Sequence, residues 1–195
     1  MNNPTRNFII VHSEGAPFIT NEHRFAIVNR YHRFLWNFKS SLGYYCGYHR
    51  FCEKDGTAID ARADSDEGAH TKGYNSISLG YCFAGNGDKE IPTNEQINDF
   101  KKWAYQKMRE YSIPPDHVVP HRYFLQHREK TCYGALLADN WAARLVSLIP
   151  VAVTPQIPQR KTLLDLLAQL TNLQRLLDLY RQRSLGAIDD RDHAE

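Results

Sequence analysis

The 195-residue chain is long enough for one domain with a full core plus a small appendage. Hydrophobic residues make up 42% and charged residues 24%, an ordinary globular balance, and a formal charge of +2 is too weak to argue for nucleic acid. No run is long and apolar enough to span a membrane, and the four cysteines (46, 52, 82 and 132) form neither a CxxC pair nor a dense disulfide framework. The 11 Tyr, 9 Phe and 3 Trp fit a thick core or a groove that stacks on sugars. The polar start, M-N-N-P-T-R-N, shows no secretory signal, so the expected location is the cytoplasm of the producing cell.

In chain order, F-I-I-V-H at 8–12 reads as a short buried strand whose alternation puts Phe8, Ile10 and His12 on one face. Thr20 is the expected N-cap of a helix reaching about Phe38, with Phe25, Val28, Tyr31, Leu35 and Phe38 as its core stripe. Residues 44–52 read as one extended strand, with Cys46, Tyr48, Arg50 and Cys52 on a common face. Asp55-Gly56 is a hairpin signal, and the return strand is expected over 58–62. A polar loop covers 63–76, and I-S-L-G-Y-C-F-A at 77–84 reads as a further strand. Thr93-Asn-Glu-Gln96 matches a capping box. The helix it opens carries Ile97, Phe100, Ala104, Met108 and Tyr111 at helical spacing and is stopped by Ile113-Pro-Pro. A short strand over 117–121 follows, then a helix over 134–149. Strands alternating with helices indicate an α/β domain: a mixed central sheet flanked by helices, over residues 1–149. A Pro-rich linker at 150–161 leads to 162–195. There Leu163, Leu166, Leu170, Leu173, Leu177 and Tyr180 fit a heptad, and a C-terminal leucine-rich helix is expected over 162–183. Self-association through that helix and docking on the main domain are both open.

The segment P-H-R-Y-F-L-Q-H-R-E-K-T-C-Y-G at 120–134 places an imidazole and a thiol, His121 and Cys132, at a spacing that suits a soft divalent cation such as zinc. At least one further donor must come from elsewhere. His23 and His32 sit on the first helix, where a surface or half-buried histidine is usual. His127 lies between the two donors and stays open as a ligand. His12 is the better placed, because it ends one apolar strand as His121 ends another.

Five segments, I-I-V-H12-S, G47-Y-H-R-F with K54-D-G-T57, G68-A-H-T-K-G-Y-N-S-I-S-L-G80, P-T93-N-E-Q96, and H121-R with K130-T-C132, occur in this order. Over residues 6–148 the chain resembles the zinc-dependent N-acetylmuramoyl-L-alanine amidases, the family of small phage endolysins and peptidoglycan recognition proteins. The resemblance implies one zinc ion held by His12, His121 and Cys132. It implies catalytic roles for Tyr48 and Lys130, and a position for His70 and Asn75 beside the substrate groove. Three ligands leave the fourth tetrahedral position for water, the pattern of a catalytic site. The segment departs from the family at Tyr133, where a proline is usual, and at Glu14, which could place a carboxylate near the metal. Arg122, His127 and Arg128 add basic character that would contact acidic wall polymer or be solvated.

The resulting expectation is hydrolysis of the amide between N-acetylmuramic acid and L-alanine in bacterial peptidoglycan by a phage or prophage endolysin, acting on the wall after release. The alternative is a peptidoglycan-binding module without hydrolysis. Members that only recognise typically lack the ligand cysteine, which this chain keeps at Cys132.

Overall fold

The computed structural model describes residues 5–15 and 23–147, together with Leu170 and Gln174. The chain divides into two compact units, 1–150 and 151–195. The first holds strands β1 (Phe8–Ser13), β2 (Arg50–Cys52), β3 (Ala58–Asp60), β4 (Ser78–Phe83) and β5 (Val118–Pro120). Its helices are α1 (Arg24–Trp36), α2 (Asn94–Tyr111) and α3 (Trp141–Ser147). The strands form one mixed sheet in the order β3-β2-β4-β1-β5. β1 runs parallel to both β4 and β5, β4 runs parallel to β2, and only the β2–β3 hairpin is antiparallel.

Period-two alternation divides the central strands between two cores. Ile9 and Val11 of β1, with Leu79, Tyr81 and Phe83 of β4, pack against Phe100, Trp103 and Met108 of α2 and Val146 of α3. The other faces carry Ile10, packed on Val119 and Phe124, and Cys82, packed with Phe51 and with Val28 of α1. His12 belongs to this second face and pairs in register with Cys82. Both His12 and His121 therefore stand at the carboxyl ends of parallel strands, where α/β sheets commonly place ligands.

Several expected elements form for the reasons the sequence suggests. Gly56, at φ +86°, turns the β2–β3 hairpin, and Glu53 N–H donates to Thr57 O at 2.8 Å. Thr93 and Gln96 make a complete capping box at the start of α2. The Gln96 amide also donates to Cys52 O and Ala84 O, both at 3.0 Å, which ties α2 to the ends of β2 and β4.

Other expectations are corrected. Residues 44–49 are not a strand: the N–H groups of 44–47 go to side chains, and the chain meets β4 only at His49, whose N–H donates to Gly80 O at 2.8 Å. Asn29 Oδ1 accepts Tyr45 N–H and Cys46 N–H, and His32 Nδ1 accepts Gly47 N–H at 2.8 Å. The common face expected for residues 46–52 is lost with the strand, so Cys46 packs with Phe51 while Cys52 lies in the opposite core. The return strand ends at Asp60, not at residue 62.

Helix α1 begins at Arg24, and Thr20 lies outside the described residues. Its first N–H groups are capped from a distance: Glu53 accepts from Arg24 N at 3.1 Å and from Phe25 N at 2.8 Å. The stripe expected in the core does not stay together. Val28 is buried, but Tyr31, Leu35 and Phe38 are 57%, 43% and 42% exposed, and His32 takes the inner position at 6%. The helix expected over 134–149 is reduced to α3, because Arg122 takes the carbonyls of Gly134 and Leu137 into another arrangement. Residues 148 and 149, the linker at 150–161 and most of the leucine-rich segment lie outside the described residues; within that segment Leu170 and Gln174 are helical.

Candidate metal centre

His12, His121 and Cys132 meet at one point. One donor atom from each lies within 4.8 Å of the others. Three separate elements deliver them: β1 carries His12, the turn after β5 carries His121, and the loop before α3 carries Cys132. His12 Nδ1 is 3.6 Å from Cys132 Sγ, and Ser13 N–H donates to the same sulfur at 3.3 Å. His121 Nε2 is buried with no hydrogen-bond partner among the described residues. A buried, unpartnered ring nitrogen beside a second imidazole and a thiol is an unsatisfied polar group unless a cation fills the gap.

The electrostatics favour electron-pair donors. Burial, reinforced by neighbouring His70 and His121, holds His12 well below its ordinary range. Burial, His127 and Lys130 lower His121 to about 4. Both imidazoles are therefore neutral near pH 7, as metal ligands must be. Burial pushes the Cys132 thiol up to about 12, so as a free nucleophile it would be inert near neutral pH. Two neutral imidazoles and one sulfur, with a fourth position left over, are a donor set suited to a borderline-soft divalent cation.

The G-A-H-T-K-G-Y-N-S-I-S-L-G segment wraps around the back of His12. The His70 ring is 8% exposed, and its Nδ1 sits 3.2 Å from His12 Nε2. With a metal on Nδ1, beside the sulfur, the proton of His12 would sit on Nε2 and face His70 Nδ1, which Thr71 Oγ1 also approaches at 3.1 Å. Thr71 Oγ1 is a weaker neighbour of His12 Nε2, at 3.5 Å. A Cβ at Gly68 or Gly80 would stand 2.5 or 2.6 Å from the His70 ring, so both glycines leave room for it. Asn75 Oδ1 accepts the N–H groups of His70 and Thr71 at 2.9 and 2.8 Å and fixes the loop that presents the ring. The resemblance places His70 and Asn75 beside a substrate groove; in the structure the first faces His12 and the second faces its own backbone.

Tyr48 lies beside the same centre, its ring centroid 5.0 Å from that of His12. Burial holds its phenol well above the ordinary range, which keeps it protonated and able to donate. Its backbone neighbour Gly47 is held by His32, which burial keeps at about 4. The bland reading of His32 as a surface or half-buried side chain therefore missed a buried acceptor; its place one turn after Val28 on the helix was the available signal. His49 is also structural: Gly80 N–H donates to its Nδ1 at 3.0 Å. Lys130 is exposed and close enough to His121 to depress its protonation.

The loop bearing Cys132 is clamped from several sides. Arg122 donates to the carbonyls of Thr131, Gly134 and Leu137 and pairs with Asp139 at 2.6 Å. These bonds make it a structural clamp. Tyr133 is 1% exposed, and its hydroxyl lies 2.9 Å from both Ala138 O and Asp139 O. The Cys132–Tyr133 peptide is cis. Behind it Gly87 and Gly134 touch backbone to backbone, where a Cβ on Gly134 would meet Gly87 O at 2.2 Å. Glu14 is not one of the converging donors: its Oε1 pairs with Arg24 at 2.5 Å, and its Oε2 is buried without a partner among the described residues.

The fold and this histidine–cysteine cluster place the protein in an identifiable class. Residues 2–135 match the N-acetylmuramoyl-L-alanine amidase family, to which the chain belongs. Peptidoglycan-recognition protein 2 of Holotrichia diomphalia is 30% identical over 100 residues, covering 49% of this chain and 51% of that protein. The endolysin of Klebsiella phage KP32 is 45% identical over 42 residues, 22% of this chain and 28% of that protein. The chain thus matches about half the length of the first and little more than a quarter of the second. Among solved structures, N-acetylmuramoyl-L-alanine amidase LysC from Clostridium intestinale superposes with TM-score 0.54 at 25% identity, covering 68% of this chain and 78% of that one. Drosophila PGRP-LB gives TM-score 0.57 at 20% identity, covering 75% and 82%, a likeness of fold.

Proposed function

We propose that this protein is a zinc-dependent amidase that cleaves the bond between N-acetylmuramic acid and L-alanine in bacterial peptidoglycan, in the role of a phage or prophage endolysin. The observation that carries the reading is the convergence of His12, His121 and Cys132 around a buried, unpartnered His121 Nε2. Zinc bound there supplies a Lewis acid that activates water and polarises the amide carbonyl.

The protein's own groups do the remaining work. His70 accepts the Nε2 proton of His12 and fixes the ring so that Nδ1 is presented to the metal. Tyr48, held protonated by burial, orients the attacking water or donates to the carbonyl oxygen. Lys130 donates to that oxygen as negative charge develops on it. Removing one such donor typically costs about 2.7–4 kcal/mol of transition-state stabilisation, 10²–10³-fold in rate. Asn75 acts through the loop that carries His70 and shapes the wall behind the metal.

The test is a pair of variants on a soluble muramoyl-peptide substrate. Tyr48→Phe and Lys130→Met should each keep stoichiometric zinc while kcat falls about 10²-fold or more. Wild-type rates in both would remove them from the chemistry. A zinc-loaded wild type that binds the muramoyl-peptide without releasing an L-alanine amino terminus would make the protein a recognition module instead.

A further inference from the structure

Helix α1 has two apolar faces, and the structure covers only one. The inner face, with Val28 and His32, packs on Tyr48 and the second core. The second stripe lies roughly 100° round the helix, at the i, i+3, i+4 spacing of Tyr31, Phe34 and Leu35. These are 57%, 86% and 43% exposed. Trp36, 49% exposed, stands one turn after His32 and packs on its ring at 4.5 Å, so it belongs to the inner side. Three large apolar side chains exposed side by side at helical spacing form a patch rather than scattered surface residues.

The charges that α1 and the turn after it carry have one sign. No Asp or Glu occurs between positions 23 and 52. Arg30, Arg33 and Lys39 are exposed, and none of them forms an ion pair among the described residues. Arg33 and Lys39 instead lie over the Tyr45 ring, at 5.2 and 6.0 Å. Asp66, which meets the turn after the helix at Ser41, is occupied by Ser41 and by Ala63 N–H. An exposed aromatic stripe bordered by unpaired cations is the composition of a helix that lies in a lipid–water interface. We propose that the outer face of α1 docks on an anionic phospholipid surface, with Tyr31, Phe34 and Leu35 entering the headgroup region and the three cations above it. Charge complementarity selects this occupant. A second copy of the face would bring like charges together, and a neutral bilayer would leave the cations without partners.

The experiment uses the full-length protein with vesicles of phosphatidylglycerol or of phosphatidylcholine, read by co-sedimentation. Binding should favour phosphatidylglycerol and weaken with salt. Arg30→Gln with Arg33→Gln should reduce it about 25-fold, at about fivefold per cation. Phe34→Ser with Leu35→Ser should reduce it at least tenfold, whereas Leu125→Ser, 74% exposed elsewhere, should not. Circular dichroism and zinc content confirm that the variants fold. Unchanged vesicle binding in both double variants would overturn the proposal, because binding would then come from another part of the chain. So would loss of dimerisation, or loss of binding to purified peptidoglycan, in the same variants without any vesicle effect.

Discussion

Replacing His70 by alanine tests how the chain holds a metal ligand in place. His70 Nδ1 is the acceptor for His12 Nε2 at 3.2 Å, and the alternative acceptor, Thr71 Oγ1, is at 3.5 Å. His70→Ala therefore leaves the His12 ring with one weak partner and a hole behind it. That hole is bordered by Gly68 and Gly80, which have no side chains to collapse into it. Partners of this kind typically contribute 10- to 100-fold in metal affinity, about 1.4–2.7 kcal/mol. Zinc competition against a chromophoric chelator at pH 7.5 measures this directly, and thermal melts of the metal-free protein report the separate cost of the cavity. His70→Asn, whose side-chain oxygen can stand where Nδ1 stood, should recover most of the affinity but not all of the packing. Wild-type zinc affinity in His70→Ala would refute the reasoning, and so would equal losses in the Ala and Asn variants.

Cys132→Ser should lower zinc affinity more than His70→Ala does, since it removes a ligand rather than the support of one, and the same titration compares the two. Gly80→Ala puts a Cβ 2.6 Å from the His70 ring, so it should lower both the melting temperature and zinc affinity, while the exposed Gly43, with nothing near its Cβ, bears only the cost of its positive φ. Burial holds His32 and His49 at about 4 against an ordinary 6.5. The unfolded chain therefore binds more protons between about pH 4 and 6.5. Stability should be flat above that window and fall as pH drops through it, by on the order of 2 kcal/mol per histidine at pH 5. Denaturant unfolding of the metal-free protein from pH 7.5 to 5 checks this, and a flat profile would contradict it.

Much of this architecture is legible in the sequence where local chemistry decides it. Alternation in β1 puts Ile10 and His12 on one face, Asp55-Gly56 turns the hairpin, and Thr93 with Gln96 opens α2. The three donors His12, His121 and Cys132 were nameable because their order along the chain resembles a known family, and the structure brings them within 4.8 Å. What escaped the sequence depends on distant partners. Glu53 caps α1 from the end of β2, and Asn29 and His32 take the N–H groups that residues 45–47 would have offered a strand. Arg122 reads as a spare cation, yet three carbonyls and Asp139 surround its guanidinium. His70 reads as a loop residue because nothing local shows that two glycines, ten and two positions away, leave a slot for its ring. The stripe on α1 has helical spacing, but spacing alone does not say which of two apolar faces the sheet will cover.

The central claim is that this chain breaks one particular bond with a metal held by His12, His121 and Cys132. Digestion of purified peptidoglycan, with the new ends identified in the presence and absence of a zinc chelator, tests it most directly. The account predicts new amino termini on L-alanine, no new reducing sugar, and loss of both activity and these ends when zinc is removed. New reducing ends, or L-alanine termini released at the same rate by the metal-free protein, would contradict it.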